Sequence, residues 1–309
     1  MDQVTAVFCT ILPVVVMLLI GMICRRRELI TREGINALKS VVVNITLPAV
    51  LLSAFATTRY TFMDVVVPLI MFFVCFAAWL LGKAGARVFH LESRFVPFLT
   101  TGFEAGMLGY ALFGMLYGSG RTAEFARIDL GQVLFVFTLY KVLLGLEGQE
   151  QTRFGTLVKE MLFSPIIVAI AAGVLIGATG LYQALVPTGI SGIFTACTDF
   201  ISAPTSAIIL LTIGYDLVLN DVPWRETGKV VALRYGIMLM LGIVFITLLN
   251  ALWPEAGLTQ AVMVMFLLPP PFVLPVFADD ARQRVYVSSA LSVSTLVAIA
   301  GFTVLAVIA

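Results

Sequence analysis

The stretch "QAVMVMFLLPPPFVLPVFADD", residues 260–280, decides how this chain must fold. It is apolar for long enough to cross a membrane, yet Pro269, Pro270, Pro271 and Pro275 fall within it. Proline has no N–H, and its ring clashes with the carbonyl one turn back. Pro269, Pro270 and Pro271 therefore free the carbonyls of Met265, Phe266 and Leu267 from helical bonding. In lipid each orphaned carbonyl is costly, so broken backbone survives only where protein buries it or where it lines a wet cavity. The segment is expected to form two half-helices with a break near the bilayer midplane. The N–H groups of Phe272, Val273 and Leu274 would open the second half and suit a carboxylate, while the carbonyls closing the first would suit a cation or a donor.

The whole chain has the same character. Its 309 residues are 60% hydrophobic and 12% charged, with a mean hydropathy of +1.05. Soluble domains are about half apolar and about a quarter charged, so the composition points to an all-α membrane protein embedded in a lipid bilayer. The net charge of +1 supplies no field for nucleic acid. The four cysteines form no CxxC pair and His90 is the one histidine, so neither a disulfide framework, a metal site nor a cofactor is expected. The opening "MDQVTAVFCTILPVVV" lacks a basic leader and a cleavage site, and reads as a retained first span.

Apolar runs long enough to span the hydrocarbon fall near 5–24, 35–56, 64–84, 95–117, 128–146, 162–181, 188–213, 231–251, 259–278 and 285–308. Of the 19 basic residues, 16 lie in alternate loops, with Arg234 counted among them. Only Arg59, Arg121 and Arg127 lie on the other side. The positive-inside rule then puts both termini outside. The loop near residue 150 divides the chain into 1–150 and 151–309, five spans each and no soluble domain. An odd number per half makes any shared fold an inverted repeat. Internal echoes agree: Pro13 answers Pro165, and Pro48 after "NITL" answers Pro204 after "DFISA". Trp79, Trp224 and Trp253 read as interface belts.

Span 4, "FVPFLTTGFEAGMLGYALFGMLYG", answers span 9. Gly102, Gly106, Gly109 and Gly114 weaken its helix and let another backbone approach. Interrupted spans at matching places in two halves point to a transporter's binding site. The alternative is a plain small-residue packing face. Glu104 is the sharpest residue of the span, because an acid at membrane depth is costly and is relieved by taking up a proton. It is a candidate proton carrier; the alternative is a carboxylate neutralised by a helix terminus. Thr100 and Thr101 are candidates to line the break. Asn44 ahead of Pro48 and Asp199 ahead of Pro204 are further candidates for substrate binding or coupling; local capping at the kinks is the competing explanation.

"LPVVVMLLIGMICRRRELITREGINALKSVVVNITLPAVLLSAFA", "SPIIVAIAAGVLIGATGL" and "SAPTSAIILLTIGYDL" together resemble the auxin efflux carrier family, whose bacterial members are similar to the membrane part of plant PIN-type exporters. The resemblance covers nearly the whole chain. It implies ten transmembrane helices in two inverted five-helix repeats, with broken helices crossing at spans 4 and 9, a sodium/proton-antiporter-like crossover fold. It also implies an organic anion as substrate, an elevator-type motion and residence in the bacterial inner membrane, and leaves a homodimer open. Glu104 stands where the family commonly has asparagine, and "PPPFVLP" departs from the family's span 9. A carboxylate there repels an anion unless protonated, which favours proton coupling, or else a neutral or cationic substrate.

The expected function is secondary transport of a small organic acid, proton-linked. A sodium-coupled symporter or antiporter of the related crossover type is the alternative, with the freed carbonyls and Glu104 holding sodium. An intramembrane enzyme lacks a paired nucleophile and base in the sequence, and a membrane ligand sensor lacks an output domain.

Overall fold

The computed structural model describes residues 3–58, 60–146, 163–217, 222–278 and 281–308, with only the backbone described for residues 3–11 and a few others. Every regular element among the described residues is helical. The α-helices are α1 (Gln3–Arg26), α2 (Arg32–Val41), α3 (Leu47–Thr57), α4 (Met63–Val88), α5 (Val96–Leu99), α6 (Tyr110–Tyr117), α7 (Thr122–Phe135), α8 (Lys141–Leu146), α9 (Pro165–Ala178), α10 (Leu181–Leu185), α11 (Ile190–Ser202), α12 (Thr205–Asp216), α13 (Trp224–Leu252), α14 (Thr259–Leu267) and α15 (Ala281–Ile308).

Six stretches among the described residues are long and apolar enough to cross a membrane: Arg32–Thr57, Met63–Val88, Thr122–Gly145, Ile190–Asp216, Trp224–Leu252 and Arg282–Ile308. A bent pair, α9 with Leu181–Thr188, makes a seventh if taken as one span. The protein is a multi-pass, all-α membrane protein. Spans 4 and 9 are absent from this group because each is divided into pieces too short to cross alone.

The chain forms two compact units, each drawing on both halves of the sequence. The first gathers Met1–Val65, Gly106–Ala126 and Gly155–Asp216. Here α1 packs on α12 and α3 on α9, and glycine sets both distances of approach. A Cβ on Gly21 would lie 2.2 Å from the Leu211 carbonyl oxygen, and one on Gly214 would lie 2.2 Å from that of Leu18. On α9, a Cβ on Gly177 would lie 2.6 Å from the Phe55 oxygen and one on Gly173 2.9 Å from the Leu52 oxygen. Without aqueous solvent to drive burial, such close backbone contact is what holds membrane helices together. At the basic end, Glu28 adopts the left-handed conformation (φ 53°) and closes α1, with Leu29 N–H donating to the Cys24 oxygen at 3.0 Å. Thr31 caps α2, its Oγ1 accepting from the Gly34 N–H at 3.1 Å. Ile35 is thereby buried against Cys24 and Tyr215. Asp216 at the end of α12 pairs with both Arg32 and Lys39.

Proline acts differently at Pro48 and at Pro204. Ahead of Pro48 the helix widens into a π turn, Val42–Thr46, in which Leu47 N–H donates to the Val42 oxygen five residues back. One extra residue per turn absorbs the donor that proline lacks. Ahead of Pro204 the helix instead stops, and α12 begins afresh at Thr205.

The second unit comprises Val66–Ala105, Arg127–Phe154 and Leu217–Ala309. A Cβ on Gly131 of α7 would lie 2.0 Å from the Pro68 oxygen of α4, so these helices touch backbone to backbone. Aromatic rings fill the core beside them: Phe98 meets Tyr140 edge-on with centroids 5.2 Å apart. Trp79 is buried there, stacked on Phe76 and under the Lys83 ammonium. It is a core residue and not part of an interface belt, because α4 turns that face inward; Trp224, at the start of α13, is exposed.

Candidate functional site

The site is built in the second unit where two segments fail to remain helical. In span 4, α5 lasts only four residues, Val96–Leu99, all buried. Thr100 and Thr101 follow, both fully buried. Their hydroxyls are spent on the chain itself: Thr100 Oγ1 donates to the Pro97 oxygen at 3.0 Å and Thr101 Oγ1 to that of Cys75 at 2.5 Å. Gly102 then takes φ +66°, a conformation that other residues adopt only with strain. It also has no room for a side chain, since a Cβ would sit 2.9 Å from Pro271 Cγ. The chain recovers through a π turn at Ala105–Gly109, where Gly106 lies in the first unit and meets Leu47.

Span 9 breaks as its prolines require. Helix α14 ends at Leu267, Leu268 is extended (ψ 150°), and Pro269, Pro270 and Pro271 are buried. The second half differs from expectation. It is a four-residue 3₁₀ turn, Leu274–Phe277, and not an α-helix. Phe272, Val273 and Leu274 therefore open no helix with a dipole worth the name.

The two breaks are bonded to each other reciprocally. The Glu104 N–H donates to the Pro269 oxygen at 2.9 Å, and the Phe272 N–H donates to the Glu104 carboxylate oxygen Oε2 at 2.6 Å. Glu104 is half-buried. The Phe103 and Phe266 rings, 5.2 Å apart, pack on one side of the crossing. The backbone N–H expected to suit a carboxylate thus holds one, supplied by the chain.

Carbonyls at both breaks are held by Arg234, a residue that its charge places among the loop cations, though they are not the Met265, Phe266 and Leu267 oxygens that the prolines were expected to bare. Arg234 is 1% exposed and lies ten residues into α13. Its Nη1 donates to the Leu99 oxygen at 3.0 Å, and its Nη2 donates to those of Gly102 and Leu268, each at 2.8 Å. Its guanidinium also lies 5.5 Å from the centre of the Phe103 ring. One planar cation therefore closes the ends of both first half-helices, where carbonyl dipoles favour positive charge. The next residue helps, its Tyr235 hydroxyl lying 3.1 Å from the Leu267 oxygen and 2.7 Å from that of Ser294. The signal was present in "VVALRYGIMLM", residues 230–240: an arginine flanked by apolar residues on both sides.

Two other candidates lie elsewhere. Asn44, in the π turn of the first unit, is exposed, and its amide donates to the Ser40 oxygen at 2.9 Å. Asp199 of α11 is exposed in the same unit. The Asp199 backbone oxygen accepts from the Ser202 hydroxyl at 3.1 Å.

No family model matches the chain. A protein of Methanothermobacter thermautotrophicus described as an uncharacterized transporter is 24% identical to it over 297 residues, 94% of either chain. The likeness runs almost end to end.

Proposed function

We propose that the protein is a secondary transporter that moves a small organic acid across a membrane, linked to protons through Glu104. The observation that carries this reading is the bond from the Phe272 N–H to the Glu104 carboxylate at the crossing. Ionised, Glu104 occupies the place where a substrate carboxylate would bind. Protonated, it gives up most of its hold on that N–H, since an ionised acceptor bonds about twice as strongly as a neutral one. The donor is then open to the substrate's carboxylate. Proton and anion are thus taken up together, and release of the proton restores the internal bond and expels the substrate. The transporter likeness, the auxin-carrier resemblance and the multi-pass helical fold support the wider class.

Arg234 favours protons over sodium as the coupling ion. A sodium site of the crossover type needs bare carbonyl oxygens; those of Leu99, Gly102 and Leu268 hold the guanidinium, that of Met265 accepts from the Leu268 N–H and that of Leu267 from the Tyr235 hydroxyl. Two inverted repeats are supported by the pairing of α1 with α12 and of α9 with α3, and by equal spacing: Gly21 follows Pro13 by as many residues as Gly173 follows Pro165. The two compact units support an elevator-type mechanism, one unit carrying the crossing.

The test is uptake into proteoliposomes of labelled mono- and dicarboxylates, with pH and sodium gradients imposed separately. Carboxylate accumulation driven by an inward proton gradient, without sodium, is expected. Accumulation that follows the sodium gradient alone, or transport of none of the acids, would overturn the reading.

A further inference from the structure

A cavity of about 690 Å³ opens in the second unit between the α4–α5 loop and the first turns of α13 and α15. It shares no residue with the crossing. Arg94, Arg225, Lys229 and Arg282 line it, opposed by Glu92 and Glu226. Four cations against two acids leave the lining at +2 with His90 neutral. Asp279 and Asp280 lie outside the described residues, and the count is of the lining alone.

Three features show that this is more than a solvated charged face. Arg94 is fixed, its Nη2 donating to the Phe277 oxygen at 2.9 Å while its guanidinium stacks over Phe95. His90 has φ 52° and closes α4, with Leu91 N–H donating to the Ala86 oxygen at 2.9 Å. Glycine is the usual residue at that position; here an imidazole is held at the cavity instead. Tyr286 is only 7% exposed, and its hydroxyl, buried at the cavity wall, has no hydrogen-bond partner among the described residues. A buried hydroxyl is costly unless something bonds it, so this one points to a ligand atom.

We propose that the cavity binds a multivalent oxyanion, carrying phosphate or carboxylate groups, at a site separate from the Glu104 crossing. The excess of positive charge matches a dianion, the arginines offer forked donors to its oxygens, and the Tyr286 hydroxyl supplies a directional bond. The volume suits a small ligand. A soluble anion and a phospholipid headgroup share this chemistry.

The experiment is calorimetric titration of the full chain in phosphatidylcholine nanodiscs with inorganic phosphate and with citrate. Saturable binding at one site is expected. Arg225→Gln combined with Arg282→Gln should weaken it more than tenfold. Tyr286→Phe, which keeps the ring and removes the hydroxyl, should weaken it roughly tenfold, and it decides the matter if the double variant does not fold. Glu104→Gln should leave the binding of inorganic phosphate unchanged. Repeating the titration in phosphatidylglycerol nanodiscs identifies the source: weaker apparent binding assigns the site to a headgroup, equal binding to a free anion. Absence of saturable binding with both probes, affinity undiminished in Tyr286→Phe, or phosphate binding lost in Glu104→Gln would overturn the proposal.

Discussion

Replacing Arg234 by glutamine tests whether this side chain holds the two broken segments together. Its guanidinium makes three bonds to carbonyl oxygens, at 3.0, 2.8 and 2.8 Å, in a site that is 1% exposed. A hydrogen bond to a charged group contributes about 1.5–3 kcal/mol, so the three together are worth at least about 4.5 kcal/mol. Glutamine keeps at most one neutral bond of about 1 kcal/mol and strands the remaining oxygens away from water. Releasing a buried charge returns part of its desolvation cost, which leaves a net loss of about 4 kcal/mol. At about 2–4 °C per kcal/mol, the melting temperature in detergent micelles, read by scanning calorimetry, should fall by on the order of 10 °C. Arg234→Lys should lie between, because a point ammonium lacks the fork that spans three oxygens. Arg225→Gln, at an exposed position on the same helix, is the control and should melt like the wild type. A glutamine variant within about 2 °C of wild type, or a lysine variant equal to it, would refute the reasoning.

Glu104→Gln should fold normally, since it exchanges a charge-assisted bond to Phe272 for a neutral one, yet lose pH-driven uptake in proteoliposomes; wild-type coupling in that variant discards the proton-carrier role. Gly102→Ala should cost about 1–3 kcal/mol from its left-handed backbone alone, and the 2.9 Å approach to Pro271 adds to it, so melting and transport should both suffer. Asp216→Asn releases Arg32 and Lys39, but the pairs are partly exposed and the loss should stay near 1 kcal/mol, shrinking further in high salt when melting is measured across a salt series. Gly21→Leu should prevent α1 from seating on α12 and lower the yield of folded protein on size-exclusion chromatography, because its Cβ meets the Leu211 carbonyl and not a yielding side chain.

The breaks themselves were legible in the sequence, because proline and glycine act through the local backbone. Three consecutive prolines cannot stay helical wherever they are placed, and Gly102 sits at the one residue of the span 4 break that needs positive φ. Glu104 was also legible, since an acid inside an apolar run is conspicuous. Its partner was not: the Phe272 N–H lies 168 residues away, and such pairings are set by tertiary packing. Arg234 escaped for a different reason. A cation near the end of a span reads as a topology signal, and only the actual start of α13, at Trp224, shows how deep it lies. The π turn at Val42–Thr46 and the short 3₁₀ end of span 9 were likewise beyond a periodicity argument, because both depend on how neighbouring turns absorb a single proline.

The bond between Leu99 and Arg234 joins residues 135 apart in the chain. A ribosome adding about 5–20 residues per second delivers the arginine roughly 7–27 s after the carbonyls it must cap. During that interval the nascent first half has been handed to the bilayer with its interruption unsealed. Its gap must be sheltered by the translocon, by water or by a chaperone until α13 arrives. A messenger cut short after residue 150 should therefore yield a product cleared by membrane proteases, while co-expression of the missing half should rescue it.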